Sequence, residues 1–124
     1  MKLRIRGNSV RIRLSQIELE QLADGGIAED RVRFSRDAEL TYRVKVAPDG
    51  AVRAELDASG VTVTLPKASL DRWLDPEEVS IRAEQPIDDR ETLAILVEKD
   101  FACLVPREGE DVSDLFPNPS REAC

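Results

Sequence analysis

The chain has 124 residues, of which 41% are hydrophobic, and this is enough apolar sequence for one folded domain. Its net charge of −7 argues against a nucleic-acid or membrane partner, because both require a basic surface. Histidine is absent, which excludes Ser-His-Asp and Cys-His catalysis. No apolar run approaches the roughly 18 residues of a membrane span, and residues 1–6 lack the apolar stretch of a signal peptide, so we expect a cytoplasmic protein.

Residues 2–15 predict a β-hairpin. Apolar and polar side chains alternate on either side of Asn8-Ser9, as is typical of two antiparallel strands joined by a two-residue turn. Pairing about that turn puts the apolar side chains on one face of the hairpin and the basic side chains on the other. Two arginine pairs then lie directly opposite each other on the basic face: Arg6 with Arg11, and Arg4 with Arg13.

A helix and two strands follow the first hairpin. Ser15 and Glu18 have the spacing of a capping box, so we expect a helix that begins after Ser15 and ends at Gly25-Gly26. Alternating side chains then predict strands over residues 30–35 and 38–47. The inward positions of the first of these strands are Val32 and Phe34.

The second half of the chain repeats this order. The predicted elements are a hairpin over residues 51–65 that turns at Ser59-Gly60, a helix over 67–74, and strands over 78–84 and 92–101. A shift of 51 residues places 61–65 on 10–14, and a loop shortened by four residues then brings 79–81 onto 32–34. Because residues 93–97 are all apolar, we expect the last strand to be central and covered on both faces.

The repeat predicts the fold class and the domain organisation. We expect an α+β fold of two ββαββ units, residues 1–50 and 51–105, related by a pseudo-two-fold axis. Their strands would form an antiparallel sheet or partly open barrel that the two helices cover. Residues 106–124 are acidic and contain prolines, and they carry no strand or helix period. We expect them to form a C-terminal tail docked on the body through Leu115 and Phe116.

The arginines of the first hairpin are the best candidate binding site. The planar guanidinium group suits the oxygens of phosphates and carboxylates, so these side chains predict a site for a small anion or an acidic partner. The candidate residues are Arg4, Arg6, Arg11 and Arg13. The alternative is a structural role, in which acids of neighbouring strands pair with these arginines. The second repeat favours that alternative, because its equivalent positions are Glu55, Asp57, Thr62 and Thr64.

Two cysteines and several acids are weaker candidates. Cys103 and Cys124 are most simply a buried thiol after a strand and a free terminal thiol, but they could form a disulfide or bind zinc with tail carboxylates such as Asp111 or Asp114. Glu98 and Asp100 share a strand face and could hold a divalent metal. Nucleotide-binding and hydrolase motifs are absent from the sequence, and we expect no resident cofactor.

Two segments resemble a family of short bacterial proteins with no assigned activity. They are the opening MKLRIRGNS (1–9) and the sequence VEKDFACL (97–104), which ED (110–111) and FPNP (116–119) follow. The resemblance covers essentially the whole chain and implies a bacterial cytoplasmic protein, but it transfers no catalytic or binding residue. The eight predicted strands are also similar to those of the tunnel-shaped triphosphate hydrolases, although the first strand lacks their alternating glutamates.

The sequence therefore predicts a small non-enzymatic binding or interaction module. Its arginine-rich face would contact an acidic protein or a small anion. The alternative is a metal-dependent enzyme that acts on a phosphorylated small molecule, in which the same arginines bind phosphate and Glu98 or Asp100 holds the metal.

Overall fold

A computed structural model describes residues 1–101 and Phe116 of the chain. Eight strands and two helices alternate along it in the order ββαββ-ββαββ. They are β1 (Lys2–Ile5), β2 (Ser9–Leu14), α1 (Gln16–Ala23), β3 (Ala28–Arg33), β4 (Glu39–Ala47), β5 (Arg53–Asp57), β6 (Gly60–Pro66), α2 (Lys67–Trp73), β7 (Ser80–Pro86) and β8 (Thr92–Lys99). None of the helices in residues 1–101 is long and apolar enough to cross a membrane.

The strands form two four-stranded mixed sheets. The first sheet has the order β1-β2-β8-β7, and the second has the order β3-β4-β6-β5. The α+β class with two helices is confirmed, but where we expected one antiparallel sheet or a partly open barrel, the described residues form two separate mixed sheets that are not closed. Each sheet has a parallel pair at its centre, β2 with β8 and β4 with β6. A short turn fixes strand direction only within one hairpin, and the long connections that join different hairpins leave no local signal of direction.

The hairpin turns lie one residue earlier than the sequence predicts. In the first hairpin the Arg6 N–H donates to the Ser9 carbonyl across Gly7-Asn8, where Gly7 has a positive φ of 55°. Arg4 therefore lies opposite Arg11, whereas Arg6 was expected there. The register changes by two residues, and because side chains alternate with a period of two, every residue stays on its predicted face. The prediction of the register was wrong and the division into faces is correct.

The second hairpin shows the same displacement. Leu56 lies opposite Val61, and Ala54 lies opposite Val63, so the turn falls before Gly60 rather than on it. Gly60 has a φ of 113°, and a Cβ atom at this position would come within 2.0 Å of the Thr41 carbonyl oxygen. Glycine is therefore required where β6 begins, because both the backbone conformation and the close approach of β4 exclude a side chain.

One hydrophobic core joins the inner faces of both sheets and the two helices. The first sheet contributes Ile12 and Val97, the second contributes Val44 and Val63, and all four are fully buried. From α2, Trp73 is 1% exposed and belongs to the same cluster. The predicted inward residues Val32 and Phe34 are 42% and 73% exposed, because the strand is displaced toward the N-terminus and its end extends past the core.

The capping box predicted for α1 is present. The Glu18 N–H donates to Ser15 Oγ over 3.3 Å, and the Ser15 N–H donates to Glu18 Oε1 over 3.0 Å. Because the helix has only eight residues, its buried face is narrow and consists of Leu19 and Leu22. These two leucines attach α1 to the core above the second sheet.

A side-chain amide connects the edges of the two sheets. The Ala54 N–H in β5 donates to Gln85 Oε1 over 2.8 Å, and Gln85 Nε2 in β7 donates to the Ala54 carbonyl over 2.9 Å. The side-chain amide of Gln85 thus makes both hydrogen bonds that a neighbouring antiparallel strand would make with the backbone of Ala54. It satisfies one backbone pair of an edge strand and holds β5 next to β7.

The end of β8 is a second point of attachment. Lys99 is 4% exposed; its ammonium group donates to the Asp75 carbonyl just after α2 and lies 5.4 Å from the centre of the Phe116 ring. Phe116 also contacts Phe101 with a ring separation of 5.7 Å, and its N–H donates to the Asp100 carbonyl. The other residues of the predicted tail, including Leu115, lie outside the described part of the chain.

Candidate functional site

The outer face of the first sheet carries an excess of positive charge. Side chains on this face alternate with the core residues of the same strands, so the pattern of the core fixes which residues point outward. We call it the arginine face and define it by six cations, Lys2, Arg4, Arg6, Arg11, Arg13 and Arg82, and three acids, Glu84, Glu98 and Asp100. Cations therefore outnumber acids by three.

A cavity of about 580 Å³ lies on the arginine face. Arg4, Arg6 and Arg11 line it on the side of β1 and β2, and Arg82 and Glu84 line it on the side of β7. The register explains the arrangement, because one row across the sheet reads Arg4, Arg11, Leu96 and Arg82. Three of the four predicted site residues are thus brought together, and Arg13 lies in the next row, outside the lining.

Glu98 partly neutralises this surface. Its carboxylate forms an ion pair with Arg11, and Oε1 lies 3.5 Å from Arg13 Nε. Within the described residues, the guanidinium groups of Arg4, Arg6 and Arg82 have no ion-pair or hydrogen-bond partner. The internal pairing expected for a purely structural role is therefore present at Arg11 of the cavity lining and at Arg13, and within the described residues it is absent at Arg4, Arg6 and Arg82.

The outer face of the second sheet provides the contrast. Its arginines are matched by acids across three contacts: Arg43 with Glu29 at 3.0 Å, Arg53 with Glu55 at 3.1 Å, and Arg31 with Glu39 at 3.9 Å. Arg43 is held further by the Ser59 carbonyl and the Thr62 hydroxyl. The arginines of β3 and β4 thus belong to a different sheet from the arginine face and are largely paired there.

Reasoning from the sequence missed the lining residues of β7 and β8, and four of them present side chains on the outer face. They are Arg82 and Glu84 of β7 and Ala94 and Leu96 of β8. β7 and β8 reach the first hairpin only through the parallel pairing of β2 with β8, which a local pattern does not reveal. A usable signal was the wholly apolar run over residues 93–97. The resulting strand is central as expected, but the described residues do not cover both of its faces, because Ala94 is exposed and Leu96 forms part of the cavity wall.

The two candidate metal-binding acids are held by cations. Glu98 pairs with arginines as described, and Asp100 Oδ2 lies 2.9 Å from Lys2 Nζ. Among residues 1–101 and 116, no group of three or more acid or cysteine side chains is arranged to hold a metal ion. Cys103 and Cys124, together with Asp111 and Asp114 of the suggested zinc site, lie outside the described residues.

Three groups with shifted pKa values lie away from the cavity. Burial raises the pKa of Tyr42 above 10.0, and the nearby Asp30 carboxylate raises it further. Hydrogen bonds from the Ser59 hydroxyl and N–H lower the pKa of Asp57. Burial lowers the pKa of Lys99. None of the three is a lining residue of the cavity, whose charged lining residues are four arginines and Glu84.

Comparison with known proteins gives a family without an activity. Residues 1–120 match the model of DUF7009, described as a family of unknown function. No curated protein matches the chain, and no solved structure matches it. The expectation of an uncharacterised family is confirmed, and because the match spans nearly the whole chain, the protein belongs to the DUF7009 family.

Proposed function

We propose that the protein is a non-enzymatic binding module and that its arginine face binds a small anion or an acidic segment of a partner. The observation that carries this proposal is a set of three guanidinium groups, Arg4, Arg6 and Arg82, that surround one cavity and have no partner in the described part of the chain. An arginine selected only for solubility has no reason to converge with others on a concavity, whereas the planar, multiply donating guanidinium suits carboxylate and phosphate oxygens.

Repulsion within the arginine face supports the same proposal. Arg4 and Arg11 lie directly opposite each other on adjacent strands, where like charges destabilise a sheet by a few tenths of a kcal/mol up to about 1 kcal/mol. Glu98 on β8 offsets the charge of Arg11 on β2, but β2 separates it from Arg4 on β1. A bound anion would remove the remaining repulsion, so binding and stability of the first sheet are expected to rise together.

We also propose that the chain is an internal duplication of one ββαββ unit. When the second sheet is listed from its other edge, its order is β5-β6-β4-β3. Each strand then corresponds to the strand at the same place in the first sheet, β1-β2-β8-β7: β5 to β1, β6 to β2, β4 to β8 and β3 to β7. The buried pair Ile12 and Val97 then corresponds to Val63 and Val44. This correspondence keeps the shift of 51 residues between the hairpins of the two units. For the strands that follow the helix, the second unit needs a loop two residues longer than that of the first, whereas the sequence alignment assumed a loop four residues shorter.

The duplication gives the two outer faces different roles. Under this correspondence Arg4, Arg82 and Glu84 match Glu55, Glu29 and Arg31 of the second sheet, so the charge is opposite at each position. In the second sheet, Glu55, Glu29 and Arg31 each form an ion pair with another residue of the same outer face. We propose that one copy kept an open anion site and that the other closed the equivalent surface through internal pairing.

Calorimetric titration of two matched variants tests the proposed site. Arg4→Ser/Arg82→Ser removes two unpaired arginines of the cavity, and Arg31→Ser/Arg53→Ser removes the same charge from the second sheet. The probes are inorganic phosphate, citrate and hexaglutamate, each at fixed ionic strength. We expect the first variant to lose at least tenfold in affinity for one or more probes, because a charge-assisted hydrogen bond contributes about 1.5–3 kcal/mol.

The control variant should bind the same probes within about twofold of the wild type, since only long-range charge has changed. Equal losses in both variants would show that binding follows net charge and not the cavity. An absence of binding of every probe to the wild type would also contradict the proposal. Trp73, which is the only tryptophan and is 1% exposed, reports by its fluorescence that each variant is folded.

A further inference from the structure

The floor of the arginine cavity is apolar. Leu96 lies between Arg11 and Arg82 in the central row of the sheet, and Ala94 lies between Ser9 and Glu84 in the next row. Both line the cavity, and Ala94 is exposed. Hydrocarbon therefore lies at the centre of an outer face on which the side chains beside it, Arg11 and Arg82 in one row and Ser9 and Glu84 in the next, are charged or hydroxylated.

The second sheet shows that this floor is not a requirement of the architecture. In that sheet the central strand β4 presents Arg43 and Lys45 on its outer face, and Arg43 is satisfied by an acid, a hydroxyl and a carbonyl. A polar residue is thus tolerated at the centre of an equally wide mixed sheet. An apolar side chain among unpaired arginines calls for a different account, since exposed apolar surface in a concave site contributes to ligand binding.

We infer that the ligand of this cavity is an amphipathic organic anion, with a single carboxylate or phosphate head bound by the arginines and an apolar body lying on Ala94 and Leu96. This inference rests on the proposed function and names its ligand class. The cavity volume of about 580 Å³ falls within the roughly 300–1,000 Å³ of small-molecule sites, whereas an inorganic ion would leave the floor uncovered.

The distribution of charge around the floor gives the orientation of the ligand. The side of β1 and β2 provides Arg4, Arg6 and Arg11, and among residues 1–101 and 116 only Arg11 of these three has an acidic partner, Glu98. On the side of β7, Arg82 and Glu84 have opposite charges two residues apart on one strand face. The head therefore lies toward β1 and β2, and Glu84 disfavours a second anionic group at the other end of the ligand.

A series of linear carboxylates measures the contribution of the apolar body. Acetate, hexanoate and octanoate carry the same head, and we expect affinity to rise by up to about fourfold for each methylene that the floor covers. Suberate has the length of octanoate and a second carboxylate, and it should bind more weakly than octanoate despite its greater charge. All titrations are made below the micellar concentration of octanoate and at constant ionic strength.

Leu96→Thr tests the floor directly, because it removes hydrocarbon and keeps a residue that favours strands. We expect it to reduce the gain from acetate to octanoate at least fivefold while phosphate binds as in the wild type. Leu56→Thr is the matched control: Leu56 is 78% exposed on β5 of the second sheet, so its replacement should leave the series unchanged. Leu96→Ala repeats the test without introducing a hydroxyl group.

The outcomes separate this inference from the proposed function. If phosphate binding depends on Arg4 and Arg82 but octanoate binds no tighter than acetate, the inference is wrong and the anion site stands. Suberate binding tighter than octanoate would overturn the assigned orientation and the single head group. Equal effects of the substitutions at Leu96 and Leu56 would place the apolar contact elsewhere and overturn the inference. If no anion binds the wild type, both the inference and the proposed function fail.

Discussion

The amide of Gln85 connects the two sheets, and its removal should destabilise the whole domain. Gln85→Ala removes both hydrogen bonds to Ala54, at 2.8 and 2.9 Å, and leaves one backbone N–H and one carbonyl of β5 without their partner. A backbone group left unsatisfied in the interior costs about 1–3 kcal/mol. Because these bonds are only partly buried, water can solvate the two groups to some extent, and we expect a total loss of about 2 kcal/mol.

Urea unfolding followed by Trp73 fluorescence measures this loss. With a typical slope of about 2 kcal/mol per molar urea, the midpoint should fall by about 1 M. Gln85→Glu separates the two bonds, because a carboxylate still accepts from the Ala54 N–H but repels the Ala54 carbonyl. It should therefore be at least as unstable as Gln85→Ala at neutral pH and should recover part of its stability when the carboxylate is protonated.

Gln21→Ala is the matched control, since Gln21 is an exposed glutamine on α1 and its backbone is unaffected by the change. We expect this variant to remain within about 0.5 kcal/mol of the wild type. A Gln85→Ala midpoint that coincides with that of the control would refute the reasoning that this amide stands in for a neighbouring strand.

Two further predictions concern the second sheet. Tyr42 is the only tyrosine, so phenolate absorbance should titrate above pH 10 in one step, and Asp30→Asn should lower that midpoint only in part, because burial is the larger cause. Since the folded state favours the neutral phenol, stability should fall as pH rises above 10, and a Tyr42→Phe variant that shows the same fall would contradict this assignment. Gly60→Ala should cost about 3 kcal/mol or more in urea unfolding, because its Cβ would lie 2.0 Å from the Thr41 oxygen. Gly7→Ala, with positive φ but nothing within 4 Å, should cost only about 1–2 kcal/mol, and equal losses would show that the close approach is unimportant.

Local patterns predicted the elements of this fold better than their assembly. The alternation in residues 2–15 assigned every side chain of the first hairpin to the correct face, although the turn lies at Gly7-Asn8 rather than Asn8-Ser9. Moving the turn by one residue changes the register by two residues. Because side chains alternate with a period of two, the error in the turn left the predicted faces, and so the predicted site residues of the hairpin, on the correct side of the sheet. The capping box at Ser15 was equally local and was confirmed.

The joining of the hairpins could not be predicted in this way. Nothing near Arg11 in the sequence indicates that Leu96 lies beside it, because the two are brought together by a parallel pairing over a long connection. Half of the cavity was therefore missed, including Arg82. The apolar run over residues 93–97 did carry information, but its outer residues were attributed to burial by another layer, whereas they form the floor of an open cavity.

The most direct test of the account is an NMR titration of ¹⁵N-labelled protein with inorganic phosphate, in which the arginine Nε–Hε signals are followed individually. The account predicts saturable shifts for Arg4, Arg6 and Arg82, with the signals of Arg43 and Arg53 on the second sheet unchanged. Small shifts that are uniform across all arginines and do not saturate would show general screening of charge and would contradict the claim that the arginine face is a binding site.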